Sequence, residues 1–233
     1  MSSYAKQIEI EIKHEPENKL LEAGMLYRQS FSTVPETAYY KALERLCRQG
    51  TLIHLTKGIY YRPKQSRFGV VPISEKEIIS HYTGNSRGVV IGYTLFNRKG
   101  LTTQLGKNTD ILSSVAAEQK KSIKNVNITY CGIAYTEETV PVIETMEILQ
   151  NYKYIEDINR QALADYMKNF ASVYSDAVTV SVLKSRKYKK STIALLERFL
   201  SYFGIKNSLG QFLSTLSKYD IPEMEEFYES TRA

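Results

Sequence analysis

The apolar residues Tyr39, Leu43, Leu46 and Cys47 recur at helical spacing and wind into one stripe. Thr33 and Glu36 have the spacing of a capping box, Pro35 suits a first helical turn, and Gly50 supplies a left-handed stop. Beyond it, Leu52 and Leu55 lead into Thr56-Lys57-Gly58, and Ile59-Tyr60-Tyr61 runs back with β-rich residues, which predicts a hairpin. Helix, glycine, strand, basic turn and strand in that order are the plan of a winged helix. Upstream, Ser3 can cap a helix from Tyr4 to about Lys13. The alternation Ile8-Glu9-Ile10-Glu11-Ile12 fits a strand equally well, and the winged-helix plan selects the helix. Pro16 ends it. Gly24 to Tyr27 is expected to form the first strand, and Arg28 to Ser32 a brief helix.

The polar, basic stretch Arg62-Pro63-Lys64-Gln65-Ser66-Arg67-Phe68-Gly69 has no periodicity and is expected to be a boundary. Ser74 and Glu77 form a second capping-box pair opening a helix towards Tyr82. Gly88 to Gly92, Asp110 to Ser113 and Val126 to Ala134 read as strands, with a helical turn or two from Tyr93 to Lys99 stopped by Gly100. Thr136 caps a helix through Ile148, with Pro141 in its first turns. From Ile155 the pattern is helical. Ala162, Tyr166, Met167 and Phe170 share one face, while Leu195, Phe199, Tyr202 and Phe203 share another. Leu209, Phe212, Leu213 and Leu216 mark a third short helix, and Pro222 precedes an acidic turn holding Glu223, Glu225, Glu226 and Glu229. The predicted fold class is mixed α/β, of the α+β kind. It comprises a winged helix-turn-helix over 1–65, a small α/β domain over 66–151 and a helical region over 152–233.

Charge gives this plan a direction. At about 100° per residue from Leu43, the face opposite the apolar stripe collects Thr37, Ala38, Lys41, Arg45 and Arg48, with Glu44 beside them. Between Pro35 and Gln65 stand six cations, Lys41, Arg45, Arg48, Lys57, Arg62 and Lys64, against the anions Glu36 and Glu44. A helix in a DNA major groove with the wing turn on neighbouring phosphate uses such a distribution. The candidate DNA contacts are therefore Thr37, Tyr40, Lys41, Arg45, Arg48, Lys57, Arg62 and Lys64. Lys41 and Arg45, one turn apart, are expected to read base edges, and Lys57 to meet phosphate. The whole chain of 233 residues carries a net charge of +6, which suits a polyanionic partner.

Other chemistry has little to stand on. The two cysteines, Cys47 and Cys131, read as small buried hydrophobes in a reducing compartment, and His14, His54 and His81 are scattered singly. No signal-peptide pattern or membrane-spanning run is present, so a cytoplasmic location is expected. Many of the 18 tyrosines are expected at core margins, ring buried and hydroxyl wet. Asp110 with Glu118-Gln119-Lys120 imitates the carboxylates and lysine of a restriction-type nuclease, in a setting that reads as a solvated loop. No Asp-x-Asp pair and no phosphate-binding glycine loop occurs. Neither an enzymatic function nor a cofactor, metal or small-molecule substrate is expected. The alternatives are a nuclease-like or RNA-acting enzyme that docks through the winged helix, and a pure protein-interaction module. The run Lys184-Ser-Arg186-Lys187-Tyr188-Lys189-Lys190 could touch nucleic acid with Tyr188 stacking, or could be a solvated connector.

A family likeness follows from these residues. Lys41-Ala42-Leu43-x-Arg45-Leu46, Gly50 and Lys57-Gly58-Ile59-Tyr60-Tyr61 resemble the N-terminal module of the AbiEi-like antitoxins of bacterial type IV toxin–antitoxin systems. Arg67-Phe68-Gly69, Gly92-Tyr93, Asn97 and Gly100-Leu101-Thr102-Thr103-Gln104 resemble the signature that follows it in the same family. The resemblance covers roughly residues 20 to 150. It implies a repressor of its own toxin–antitoxin operon, bound to double-stranded operator DNA, possessed of a second domain that counteracts a nucleotidyltransferase-like toxin in phage defence. The Gly100 to Gln104 run itself reads as a fold-defining turn. Residues from about Ile155 are expected to be dispensable for specific DNA binding but to contribute to toxin neutralisation.

Overall fold

The computed structural model describes residues 3–214 and 216–228, which divide into two compact units, 1–81 and 82–233. Glu229, part of the expected acidic turn, lies outside the described residues.

The first unit begins with α1, Ser3–His14. Ile8 and Ile12 are fully buried while Ile10 is exposed, so the spacing of four, not the alternation, is what the core reads. The first strand, β1, is Leu20–Glu22, and α2 is Ala23–Ser30. This corrects the expected strand at Gly24–Tyr27. Leu20 and Leu21 are both buried and the Ala23 N–H is bound to the Gly58 carbonyl, so tertiary pairing puts the strand on the adjacent leucines, and Gly24 is carried inside a helix. Helix α3, Glu36–Arg48, has Pro35 as its cap residue with no side-chain cap, so the Thr33–Glu36 box does not form. Its other end is a Schellman motif. The Gly50 N–H bonds to Cys47 O and the Thr51 N–H to Leu46 O, with Gly50 at φ +72°.

Strands β2, Ile53–Thr56, and β3, Ile59–Tyr61, form the expected wing hairpin with Gly58 at its turn. The sheet is antiparallel in the order β1-β3-β2, pairing Leu20 with Tyr61 and Ile53 with Tyr61. Helix–strand–helix–helix–strand–strand with the third strand central is winged-helix topology. Its core is Ile8, Ile12, Leu21, Phe31, Val34, Tyr39, Leu43, Leu46 and Leu52. Tyr39 lies at the centre, 5.2 to 5.3 Å from the rings of Tyr27, Phe31 and Tyr40, its hydroxyl donating to Ala23 O at 3.0 Å. Thus Tyr39, on the expected apolar stripe, is wholly inside, its hydroxyl satisfied by backbone.

The stretch expected to be a boundary is instead a second hairpin, β4 (Lys64–Ser66) paired with β5 (Gly69–Val71). Helix α4, Glu75–Thr83, follows. Its capping box is complete: the Ser74 N–H reaches Glu77 Oε2 at 2.7 Å and the Glu77 N–H reaches Ser74 Oγ at 3.2 Å.

The second unit has a four-stranded sheet in the order β6-β7-β9-β8, where β6 is Gly88–Ile91, β7 Thr109–Ser113, β8 Lys120–Ile123 and β9 Val126–Tyr130. β7 and β9 are parallel and the other pairs antiparallel. Helix α5, Gly92–Arg98, joins β6 to the Gly100 turn. Helix α6, Thr139–Asn151, is buried continuously from Val142 to Leu149 and packs against α5, α7 (Arg160–Ser172), α8 (Asp176–Ser185) and α9 (Lys190–Tyr202). A 3-10 turn, Leu209–Phe212, replaces the expected third helix, and Leu216 is exposed. One apolar core runs from Val89 and Leu112 in the sheet through Ile143 and Met146 to Leu195, Phe199 and Phe227. The sequence division at residue 151 therefore has no counterpart: the α/β part and the helical tail are one folding unit.

Candidate nucleic-acid interface

The cationic residues of the winged helix differ in exposure. Thr37, Lys41, Glu44 and Arg48 are all exposed on α3. At about 100° per residue they fall within roughly 60° of one another, a stripe about 16 Å long. Tyr40 is half-buried, packed edge-on to Tyr39. Lys57 is exposed at the wing turn and Lys64 at the start of β4.

Arg45 is placed differently. It lies further round the helix, where its guanidinium donates to Ala5 O at 3.3 Å and stands 3.7 Å from the Glu9 carboxylate, both on α1. The hydrogen bond from Lys13, then that lysine's charge and Arg45 more weakly, hold the Glu9 carboxyl below its ordinary range. Arg62 is likewise engaged, bonded to the Lys13 carbonyl at the end of α1 and 3.6 Å from Glu17. The sequence groups these two with the exposed cations because a helical wheel, for Arg45, and a count of charges, for Arg62, show no neighbour. Glu9 on the opposing helix is the signal that could have separated Arg45 from Lys41.

The other sequence candidates dissolve into structure. Asp110 is on β7 and Lys120 on β8, with β9 between them. Asp110 accepts a hydrogen bond from Asn127 Nδ2 at 3.0 Å, and Glu118 pairs with Lys121 at 3.5 Å. Among the described residues no cluster of three or more His, Cys, Asp or Glu side chains could hold a metal ion.

In the run from Lys184 to Lys190, Arg186 forks onto buried Glu147 at 3.0 and 2.8 Å, and Tyr188 is buried beneath its guanidinium. Burial opposes the charge on Arg186, but the Glu147 carboxylate outweighs it and keeps the guanidinium firmly protonated. Tyr188 is thus closed to stacking on a base, while Lys184, Lys187, Lys189 and Lys190 stay exposed.

The Gly100 to Gln104 run is a clasp. Thr102 Oγ1 donates to Glu156 O at 2.7 Å, Gln104 Nε2 to Asp157 at 3.0 Å, and the Asn159 N–H to Leu101 O at 2.7 Å. The two cysteines are free; Cys131 is buried, whereas Cys47 is half-buried, its thiol pushed up by burial and then by Glu44. No helix among the described residues is long and apolar enough to cross a membrane.

Fold and surface together define a winged-helix protein of mixed α and β structure with exposed cations on α3 and at the wing turn. The chain belongs to DUF6088, a family of unknown function, whose model matches residues 7–163. No curated protein matches it. Among solved structures it is similar to the RV2827C protein from Mycobacterium tuberculosis, at 12% identity and a TM-score of 0.43, over 95% of this chain and 84% of that one.

Proposed function

We propose that this chain is a DNA-binding transcriptional regulator that lays α3 in the major groove of its own operator and the β2–β3 wing on adjacent phosphate. The observation that carries the reading is the joint exposure of Lys41 and Arg48 on one helical stripe and of Lys57 at the wing turn. A groove about 12 Å wide accepts a helix, and a stripe of roughly 16 Å spans several base pairs. The antitoxin role rests on the sequence resemblance: repression of a toxin–antitoxin operon, and relief of a nucleotidyltransferase-like toxin encoded beside it. No observation favours the enzyme alternative over this one.

The test is a titration of the full chain against the duplex upstream of its own gene and a scrambled duplex, at two salt concentrations. Lys41→Ala or Arg48→Ala is expected to cost roughly 1–3 kcal/mol on the upstream duplex and to narrow its advantage over scrambled DNA. Lys57→Ala is expected to weaken both duplexes alike and to flatten the salt dependence by about one phosphate contact. Equal binding of both duplexes by the wild type sinks the operator assignment. For the antitoxin role, co-expression with the neighbouring toxin gene is expected to restore growth, and continued arrest refutes it.

A further inference from the structure

The β4–β5 hairpin is not required by the winged-helix plan, and its surface is unusual. Residues 64 to 70 are all exposed, and Phe68 at the tip is 86% exposed. A single exposed aromatic needs no explanation, but here several features coincide. The Arg67 guanidinium lies over the Phe68 ring, 4.7 Å from its centre. Val70, half exposed, adds a second apolar side chain to the same hairpin. No acidic residue occurs from Arg62 through Ser74, while Arg62, Lys64 and Arg67 do.

The tip is also preorganised. Ser66 Oγ donates to Gly69 O at 2.9 Å and accepts the Phe68 N–H at 3.2 Å, and Gly69 takes the positive φ of +108° that closes the turn. An aromatic held out on a rigid, purely cationic ribbon loses little entropy on binding.

We propose that this hairpin is a second DNA contact, an arm whose tip carries Arg67 and Phe68 into the minor groove with Phe68 wedged against a base step, while Lys64 at its root meets phosphate. The proposal rests on the DNA-binding reading above and extends it to a second groove. The scale fits. Three strand residues reach roughly 10 Å, and the minor groove is about 7.5 Å deep. Arginine reads that groove, and apolar wedges of this type kink the duplex by partial unstacking. No acidic side chain along the arm repels phosphate.

The test uses the full chain and a duplex of roughly 30 base pairs, A·T-rich at its centre, end-labelled with a donor and an acceptor dye. Wild-type binding is expected to raise energy transfer as the duplex bends. Phe68→Ala is expected to abolish that rise, weaken binding about tenfold and leave the salt slope unchanged, since stacking and not charge is lost. Phe68→Leu, which keeps an apolar wedge, is expected to restore the bend. Arg67→Ala is expected to lower the salt slope by about one contact. If Phe68→Ala bends and binds DNA like the wild type while Lys41→Ala still impairs binding, the arm proposal is overturned and the helix reading stands. If the wild type binds no duplex even at low salt, both fall together. Circular dichroism of each variant confirms that the fold is retained.

Discussion

Arg45 and Lys41 stand one turn apart on the same helix and do different things. Arg45 reaches α1, donating to the Ala5 carbonyl beside Glu9, so Arg45→Ala is expected to lower stability by about 1–2 kcal/mol. The slope of its DNA binding against salt is expected to stay as in the wild type, and urea denaturation beside a salt titration checks both. Glu44 is the one anion on the exposed stripe. It repels phosphate and can accept a hydrogen bond from cytosine in the groove. Glu44→Ala is therefore expected to tighten binding to scrambled DNA while loosening discrimination, measured in the same titration. Asp176 offers a residue-scale test in the second unit. Its carboxylate accepts from the Ser208 hydroxyl at 2.6 Å, the Ser208 N–H at 2.9 Å and the Tyr174 hydroxyl at 2.7 Å. The Ser208 bonds hold its carboxyl below the ordinary 3.8. A depressed folded value means that this stabilisation is complete at neutral pH and is lost as pH falls through it. Asp176→Asn is expected to cost about 1–2 kcal/mol at pH 7, with the gap to wild type closing below about pH 4.

At the scale of elements, Gly50 shows what a helix end demands. It closes the Schellman motif at φ +72° with open space around it, so Gly50→Ala is expected to cost roughly 1–2 kcal/mol through backbone strain alone. A shift in urea midpoint without a change in slope is the expected result. That helix and its wing were legible in the sequence because their signals are local: a stripe, a glycine, a basic turn. The Ser74–Glu77 box was legible for the same reason. The Thr33–Glu36 box has the same spacing and fails, because Pro35 takes the cap position. The strand Leu20–Glu22 was missed because its identity comes from Tyr61 and Ile59 across the sheet, some forty residues away. The β4–β5 hairpin reads as a boundary in the sequence since its polar, exposed residues have no alternation to show. Lys41, Arg48 and Lys57 were legible as exposed cations. The loss of Arg45 and Arg62 to α1 was not, because pairing partners on another element leave no mark on a helical wheel or a count of charges.

At the scale of the molecule, the continuous core of the second unit corrects the expectation that the tail is an appendage. Ending the chain after Tyr154 removes Leu163, Met167, Phe170, Leu195, Leu196, Phe199, Leu200, Leu209 and Phe227 from one cluster. At roughly 2 kcal/mol for each buried side chain, that loss exceeds the ~5–15 kcal/mol that holds a typical domain together. The truncated chain is expected to keep a folded winged helix beside an unfolded remainder, and limited proteolysis is expected to leave a fragment ending near residue 84. A protease-resistant second unit would refute the single core. The same feature governs the chain while it is being made. The winged helix has its buried side chains and its sheet complete by Tyr61, whereas the core that α6 belongs to is complete only with Phe227. At ribosomal speeds the stretch from Leu149 to Phe227 takes about 4–16 s to make. Through that time the apolar run Val142–Leu149 remains partly uncovered on the nascent chain, a ready landing place for a holdase chaperone, while the winged helix is already complete.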